Sequence, residues 1–404
     1  MKKTLLAAAL VTGFAGVAHA ESSVTLYGLV DAGYGYQGVE TKYRGAYAGG
    51  KITKRDFGVH SGVMNGSRWG LKGTEDLGNG TSAIFVLESG FDVNNGNSLQ
   101  GGRLFGRQAY VGLTGDSWGT FTIGRQYNAG DTFVAPIDPF GTGGGFAASN
   151  TIFGDSVSGR YDGVIKYVTP NFSGFQFGLG LVHDDSETKY RGSAALPSAD
   201  YKVTDRTVGV STGLGYTNGP IYVGVSFDYI DQKVRNTSTS FGVRNKTKAW
   251  NIGGTYDLDV VKLHLLYGGQ RDGSIGGIGG LAAAAVDGTA VYYTGSTAAA
   301  VGFDGDGLKQ HSWLAGLSAP VGDAGKVMFS YAGNTIKNTD FVANYKVKSH
   351  NFALGYRHSL SKRTSVYGVA SYGWSEGKDR NFVSGTGKTK VTATQAIIGL
   401  QHRF

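Results

Sequence analysis

SRWGLKGTEDLGNGTSAIFVLESGFD, residues Ser67 to Asp92, is the stretch that decides the fold. From Ser82 onward, Ala83, Phe85, Leu87 and Phe91 share one face of an extended chain, and Glu88 and Asp92 share the other. Before it, Trp69 and Leu71 fall opposite Arg68 and Lys72. A period of two is the mark of a strand with unlike faces. Between the two runs stands Asp76-Leu77-Gly78-Asn79-Gly80, Gly and Asn chemistry suited to a tight hairpin turn. The stretch predicts two antiparallel strands, each with one apolar and one charged face.

The same unit repeats along the chain, and almost nothing reads as a helix. Further tight turns are expected at 115–119, 169–174, 218–220, 257–260, 321–325 and 359–363. Long polar connections are expected at 37–56, 94–102, 128–159, 184–205, 231–246, 271–307, 337–345 and 377–390. Seven tight turns and eight long connections join sixteen strands. An even count, with short turns at one end and long loops at the other, is the plan of a closed antiparallel transmembrane β-barrel with periplasmic turns and extracellular loops. A soluble β-sandwich also alternates, but it gives no reason for connection lengths that alternate strictly. The last strand fits the barrel too, with Ala396, Ile398, Leu400 and Phe404 on one face and Gln395, Gln401 and Arg403 on the other. Side chains cannot fill a barrel of this size, so an aqueous channel remains. Tyr27, Tyr34, Tyr110, Tyr167, Tyr216, Tyr229, Tyr256, Tyr331, Tyr356 and Tyr372 stand near expected strand ends, where aromatic girdles meet the membrane interfaces.

The N-terminus and the composition agree with an exported barrel. Met1-Lys2-Lys3 is basic, Leu5 to Val17 is apolar but too short to span a bilayer, and Ala18-His19-Ala20 is a small-residue cleavage site. A cleaved secretory signal over 1–20 and a single barrel domain over 21–404 are therefore expected. No later stretch holds the ~18 consecutive apolar residues of a membrane helix. Glycine supplies 68 of 404 residues, more than twice the usual ~7%, as strands that must curve and close require. There are 23 Tyr and 21 Phe but only six Pro, and no Cys to staple a soluble secreted fold. Without Lys2 and Lys3 the 38 basic residues become 36 against 30 acidic, a net +6 spread along the chain. Nucleic-acid binding calls for a clustered basic face and is set aside.

Several runs together resemble one family. They are SVTLYG (Ser23 to Gly28) with Asp31 following, SRWGLKGTEDLGNG (Ser67 to Gly80), FVLESGF (Phe85 to Phe91), GRQAYVGL (Gly106 to Leu113), GTFTIGRQY (Gly119 to Tyr127), YVTPNFSGF (Tyr167 to Phe175) and GLQHRF (Gly399 to Phe404). In this order and spacing the mature chain resembles the Gram-negative general porins, in particular their betaproteobacterial branch. The resemblance implies a homotrimer in the outer membrane, each sixteen-stranded barrel passing ions and small hydrophilic solutes. It implies that the third long loop, 128–159, folds into its own lumen and narrows it. It also implies a constriction with Arg68, Arg107 and Arg160 as its basic wall and Glu88 and Asp138 as its acidic members. Strand parity agrees for Arg68 and Glu88, is compatible for Arg160, and gives no support for Arg107, whose face also holds Ala109, Val111 and Leu113. Three arginines against two carboxylates imply mild anion preference. Phe404 resembles the terminal aromatic read by the barrel-insertion machinery, although His402 stands where relatives outside this branch often carry an aromatic.

A barrel enzyme is the rival from another class. His60, His183, His264, His311, His350, His358 and His402 stand in no recognisable nucleophile or metal spacing, so neither catalysis nor a cofactor is expected. A solute-selective channel for a sugar or organic acid, and an adhesin or structural barrel, remain alternatives. The Gly/Ala-rich sixth loop, 273–307, has no assignable role.

Overall fold

Gly78, Asn79 and Gly80 sit at φ of 83°, 51° and 71°, the left-handed backbone that reverses the chain between the two strands of the opening stretch. Such reversals build the whole molecule, seen here in a computed structural model that describes residues 22–45, 49–191, 201–236, 241–273, 307–338, 345–379 and 387–404. The expected signal segment, 1–20, and nearly all of the sixth loop lie outside these residues.

The strands are β1 (Ser23–Gly45), β2 (Gly50–Ser61), β3 (Arg68–Gly78), β4 (Thr81–Gly90), β5 (Gln108–Gly115), β6 (Gly119–Tyr127), β7 (Arg160–Val168), β8 (Phe175–Tyr190) and β9 (Tyr201–Asn218). They continue as β10 (Ile221–Asn236), β11 (Phe241–Asp257), β12 (Lys262–Arg271), β13 (Leu308–Val321), β14 (Gly325–Asn338), β15 (Tyr345–Ser359), β16 (Thr364–Asp379) and β17 (Gly387–Arg403). Each pairs antiparallel with its sequence neighbour, and β1 pairs with β17 from Leu29↔Arg403 to Gly45↔Gly387, which closes the sheet. The other edge of β1 takes β3 over Ser23–Leu29 and β2 over Ala32–Tyr43. β2 and β3 are thus two halves of one strand position, so seventeen segments make a sixteen-position barrel.

The break between them, 62–67, is held by one carboxylate. Asp31 accepts N–H bonds from Val63 (3.1 Å) and Asn65 (3.0 Å), an O–H bond from Tyr367 (2.6 Å) and an amide bond from Gln401 (2.9 Å). A fully buried carboxylate is tolerated because every lone pair is occupied.

The tight turns fall where the sequence puts them, and the third long connection runs over 128–159 as expected; the second is longer, 91–107, whereas the first, fourth, fifth, seventh and eighth are shorter than expected. Residues 184–190 and 201–205 are ladder, as Asp184↔Thr207 and Tyr190↔Tyr201 show, and so are 37–45 with 50–56. Polar side chains mark the end of the membrane, not of the strand: the backbone N–H and C=O groups remain best satisfied by each other above it.

The faces alternate as required. On β13, Gln310, Ser312, Leu314 and Ser318 point inward and are buried, whereas Leu317 points outward and is exposed. On β17, Gln395 and Gln401 are buried inside while Ile398, Leu400 and Phe404 are exposed outside. Two of the expected girdle tyrosines are exceptions. Tyr27 and Tyr110 share the inward parity of Glu88, and the Tyr27 hydroxyl donates to its carboxylate at 3.1 Å.

Candidate pore constriction

The connection 128–159 leaves β6 and turns into the barrel. Asn128 starts it: its side-chain oxygen caps the short helix α1 (Ala129–Phe133) by accepting the Asp131 N–H at 3.0 Å. The Asn128 amide donates to Asp155 O, Ser156 O and the Asp228 carboxylate, tying both ends of the loop to β10. Two further short helices, α2 (Asn150–Phe153) and α3 (Asp155–Ser158), return the chain to β7. Val134, Ala135, Ile137, Ile152, Phe153 and Val157 bury themselves against Leu266, Leu314 and Ala332 of the inner wall. Phe140 and Ala147 pack with Val63, Met64, Met328 and Val369 farther round.

Polar wall residues fix the loop backbone between these clusters. Tyr222 donates to Phe133 O (2.7 Å), Gln310 and Asn334 to Ile152 O (2.6 and 2.9 Å), Asn351 to Phe146 O (2.6 Å) and Gln395 to Gly144 O (2.6 Å). His264 bridges Ile137 O (2.7 Å) and the Ser318 hydroxyl (2.9 Å). These inward polar residues look from sequence like water-facing wall, and the structure spends them on holding the loop. Gly144 N and Gly145 N donate to Val63 O at 2.7 and 3.0 Å, so the loop tip reaches the break between β2 and β3.

Facing the loop from β3–β7 is a group of cations around Tyr127. Arg107 donates to the Tyr127 hydroxyl at 2.6 Å, and the Arg160 guanidinium also donates to it while lying over its ring, 4.1 Å from the centroid. Lys166 reaches Tyr127 O (3.2 Å) and Thr132 Oγ1 (3.0 Å). Arg68 donates from Nε to Gly66 O at 2.9 Å and lies within electrostatic range of Arg107, Arg160 and Glu88. Glu88 is buried and paired with Arg107 at 2.7 Å. Asp131 accepts the Ser158 hydroxyl at 2.5 Å and lies within range of Arg160, Lys166 and Arg107. Burial pushes its carboxyl above the ordinary value, and the Ser158 bond and nearby cations only partly offset this.

Of the five expected constriction residues, Arg68, Arg107, Arg160 and Glu88 are brought together. Asp138 is not. It is buried, and its carboxylate accepts the N–H groups of Phe140 (2.8 Å), Thr142 (3.1 Å) and Ser149 (2.9 Å). It shapes the loop instead of facing the opening, because the Pro136-to-Gly141 turn needs an acceptor for its own backbone. Asp131, unnoticed in the sequence, is the loop acid near the cations; its position in the first turn of a capped helix was the available signal. Lys166 shares the inward parity of buried Val164 on β7 and joins the cations from the wall. Parity misjudged Arg107 because β5 starts only at Gln108, so Arg107 stands in a bend outside the ladder. A count of two from Arg160 would also carry Asp162 inward. A register shift opposite Gly124 and Gln126, with Gly163 at φ 59°, turns Asp162 away to pair with Arg103 (2.8 Å) and Arg125 (2.6 Å). Among the described residues no group of three His, Asp or Glu could hold a metal ion.

Known proteins of this architecture match along the whole chain. The family model described as Gram-negative porin covers residues 6–380. An outer membrane porin protein of Bordetella pertussis is 42% identical over the full length of both chains. Outer membrane porin protein 32 of Delftia acidovorans is 29% identical, again over both full lengths. Among solved structures, one described as an anion-selective porin from Comamonas acidovorans superposes with a TM-score of 0.59 at 27% identity, over 95% of this chain and 100% of that one. With the closed barrel and the loop inside its lumen, these matches lead to one conclusion: the chain belongs to the Gram-negative porins, channels of the outer membrane.

Proposed function

We propose that the porin is a general diffusion channel whose narrowest part is formed by Arg68, Arg107, Arg160 and Lys166 against Glu88 and Asp131, giving it a mild preference for anions. The observation that carries this is the imbalance around Tyr127: four cations on the wall meet one wall acid and one loop acid. Glu88 is spent on Arg107 at 2.7 Å, which leaves Arg68, Arg160 and Lys166 to set the sign of the field. Farther toward the turns, Lys262, Lys326, Arg357 and Arg403 share the inward parity of Ser318, Met328 and Gln401, so the basic lining continues below the loop. The described anion selectivity of the Comamonas porin supports the same reading.

A homotrimer is part of the proposal. Among the described residues β2 has β1 as its sole ladder partner, and Phe57 and Val59 on it are exposed, as is Leu104 in the second loop. An open edge with apolar neighbours needs a cover. The family and the relatives point to a channel rather than an enzyme. Three Gly-x-Ser-x-Gly runs (115–119, 209–213 and 373–377) match the spacing of a nucleophile elbow. Each lies in a hairpin turn or an antiparallel strand, not at the strand-to-helix corner that exposes such a serine.

The test is a zero-current potential in a salt gradient across a planar bilayer. A unit charge ~8 Å away changes local ion energy by about 0.5 kcal/mol in water, a factor of about two in concentration. Removing one charge lowers anions and raises cations by about twofold each, so replacing both Arg68→Gln and Arg160→Gln should lower the anion-to-cation permeability ratio by about tenfold, and by less at high salt. An unchanged potential would place the selectivity elsewhere, and current saturating with one sugar or organic acid would favour a selective channel.

A further inference from the structure

The outer face of β11–β16 carries a charge pattern that the lumen does not use. Lys248 on β11, Arg271 on β12, Lys309 on β13, Lys337 on β14, Lys346 on β15 and Lys378 on β16 stand directly opposite one another in successive ladders. Their parity is outward: Lys309 alternates with Gln310 and Ser312, which lie buried beneath the third loop. Neighbouring strands are ~4.8 Å apart, and like charges set directly opposite destabilise a sheet. Among the described residues Arg271, Lys309 and Lys337 make no ion pair, and Glu376 is the one outward carboxylate on this part of β11–β16; it already lies 3.8 Å from Lys390.

Directly below the row, toward the membrane, the same faces carry rings. Trp250 and Tyr267 are 5.6 Å apart, Trp313 and His350 6.3 Å, and His350 and Trp374 5.0 Å. The Tyr331 hydroxyl meets His350 Nδ1 at 2.9 Å, which holds that ring in the band. Rings with polar tips on a barrel's outer face sit at headgroup level. The basic row stands just beyond them on the long-loop side, the level of the phosphates of the outer leaflet.

We propose that this row binds a glycolipid of the outer leaflet carrying more than one phosphate group, whose phosphates supply the missing counter-charge. Lysines act as point charges and Arg271 offers a fork matched to phosphate oxygens. A second copy of the chain is the poorer occupant, since the same face would bring like charge to like charge. The proposal concerns the outside of the barrel and is independent of how the pore selects ions.

The test uses the full chain refolded in detergent and reconstituted with phosphorylated lipid A or with lipid A stripped of its phosphates. The lipid retained per barrel is read by native mass spectrometry. Wild type should retain the phosphorylated form, less of it as salt rises, and little of the stripped form. The variant carrying Arg271→Gln, Lys309→Gln, Lys337→Gln and Lys346→Gln should retain at least about tenfold less, with conductance and reversal potential in plain phosphatidylcholine bilayers unchanged. Lys→Arg replacements at Lys309, Lys337 and Lys346 should restore retention. Equal retention by wild type and the Gln variant overturns the proposal. So does equal retention of both lipids by wild type, which needs no variant to fold, and so does occupancy by inorganic phosphate with no lipid held.

Discussion

Tyr127 meets three cations at once, with its hydroxyl taken by Arg107 and Arg160 and its carbonyl by Lys166. The tyrosine spaces the guanidinium groups apart and lets charges of one sign share a small region. Opposite them, Asp131 has its carboxyl raised by burial, so it takes up a proton at a pH above that of an ordinary aspartate, about 3.9. Protonation deletes a negative charge beside three positive ones. Anion preference should therefore grow as pH falls through the Asp131 titration, and Asp131→Asn should show the enhanced preference already at neutral pH and lose the pH step. The same step in the variant would sink the idea, as read from reversal potentials across a pH series. Single residues also show how far parity reaches. Arg68 and Glu88 were legible because both keep the regular register of the β3–β4 ladder. Arg107 and Asp162 were not, because a bend before Gln108 and a register shift at Gly163 each reset the count by one. Asp138 misled for another reason: a carboxylate on a loop reads the same whether it faces water or its own backbone.

The third loop occupies the lumen, and its tip meets the wall at a glycine. A Cβ on Gly143 would stand 1.6 Å from Met64 O, so no larger residue fits without parting the loop tip from the break between β2 and β3. Gly143→Ala should leave the barrel folded and loosen the tip by about 1–3 kcal/mol. The expected outcome is a larger and noisier single-channel conductance, with unchanged heat-modifiable mobility of the barrel on gels. A quiet, wild-type conductance would show that the tip does not limit flow. Gln395→Ala, which removes the side chain holding Gly144 O and Phe146 N, should act in the same direction. The hairpins were readable from turn chemistry at Gly78-Asn79-Gly80. The split strand was not, because its cause is Asp31, 32 residues from Val63 in sequence.

Across the whole molecule, the seam between first and last strands ends in Phe404. Gly28 and Phe404 exchange two backbone bonds of 3.1 Å, and the ring lies where a Gly28 Cβ would be, 2.3 Å from its Cζ. Beyond any part in recognition by the insertion machinery, Phe404 completes the ladder at the turn end. Deleting it should lower the yield of assembled barrel several-fold while leaving the conductance of surviving channels unchanged, measured by outer-membrane fractionation and by single-channel steps. Altered conductance in survivors would mean that the seam, not assembly, is affected. The sixteen-position count was legible because the connections alternate in length. Closure itself was legible only through the faces of the last strand. The loop's attachments carry one more consequence. Ala129 waits for Ser211, Ile152 for Gln310 and Gly144 for Gln395, sequence separations of 82, 158 and 251 residues. Contacts of such high order form slowly, since the chain entropy they cost precedes any return from them. The loop inside this channel is therefore among the last parts to set, and a chain arrested before β17 is leaky twice over, unsealed at its side and unobstructed at its centre.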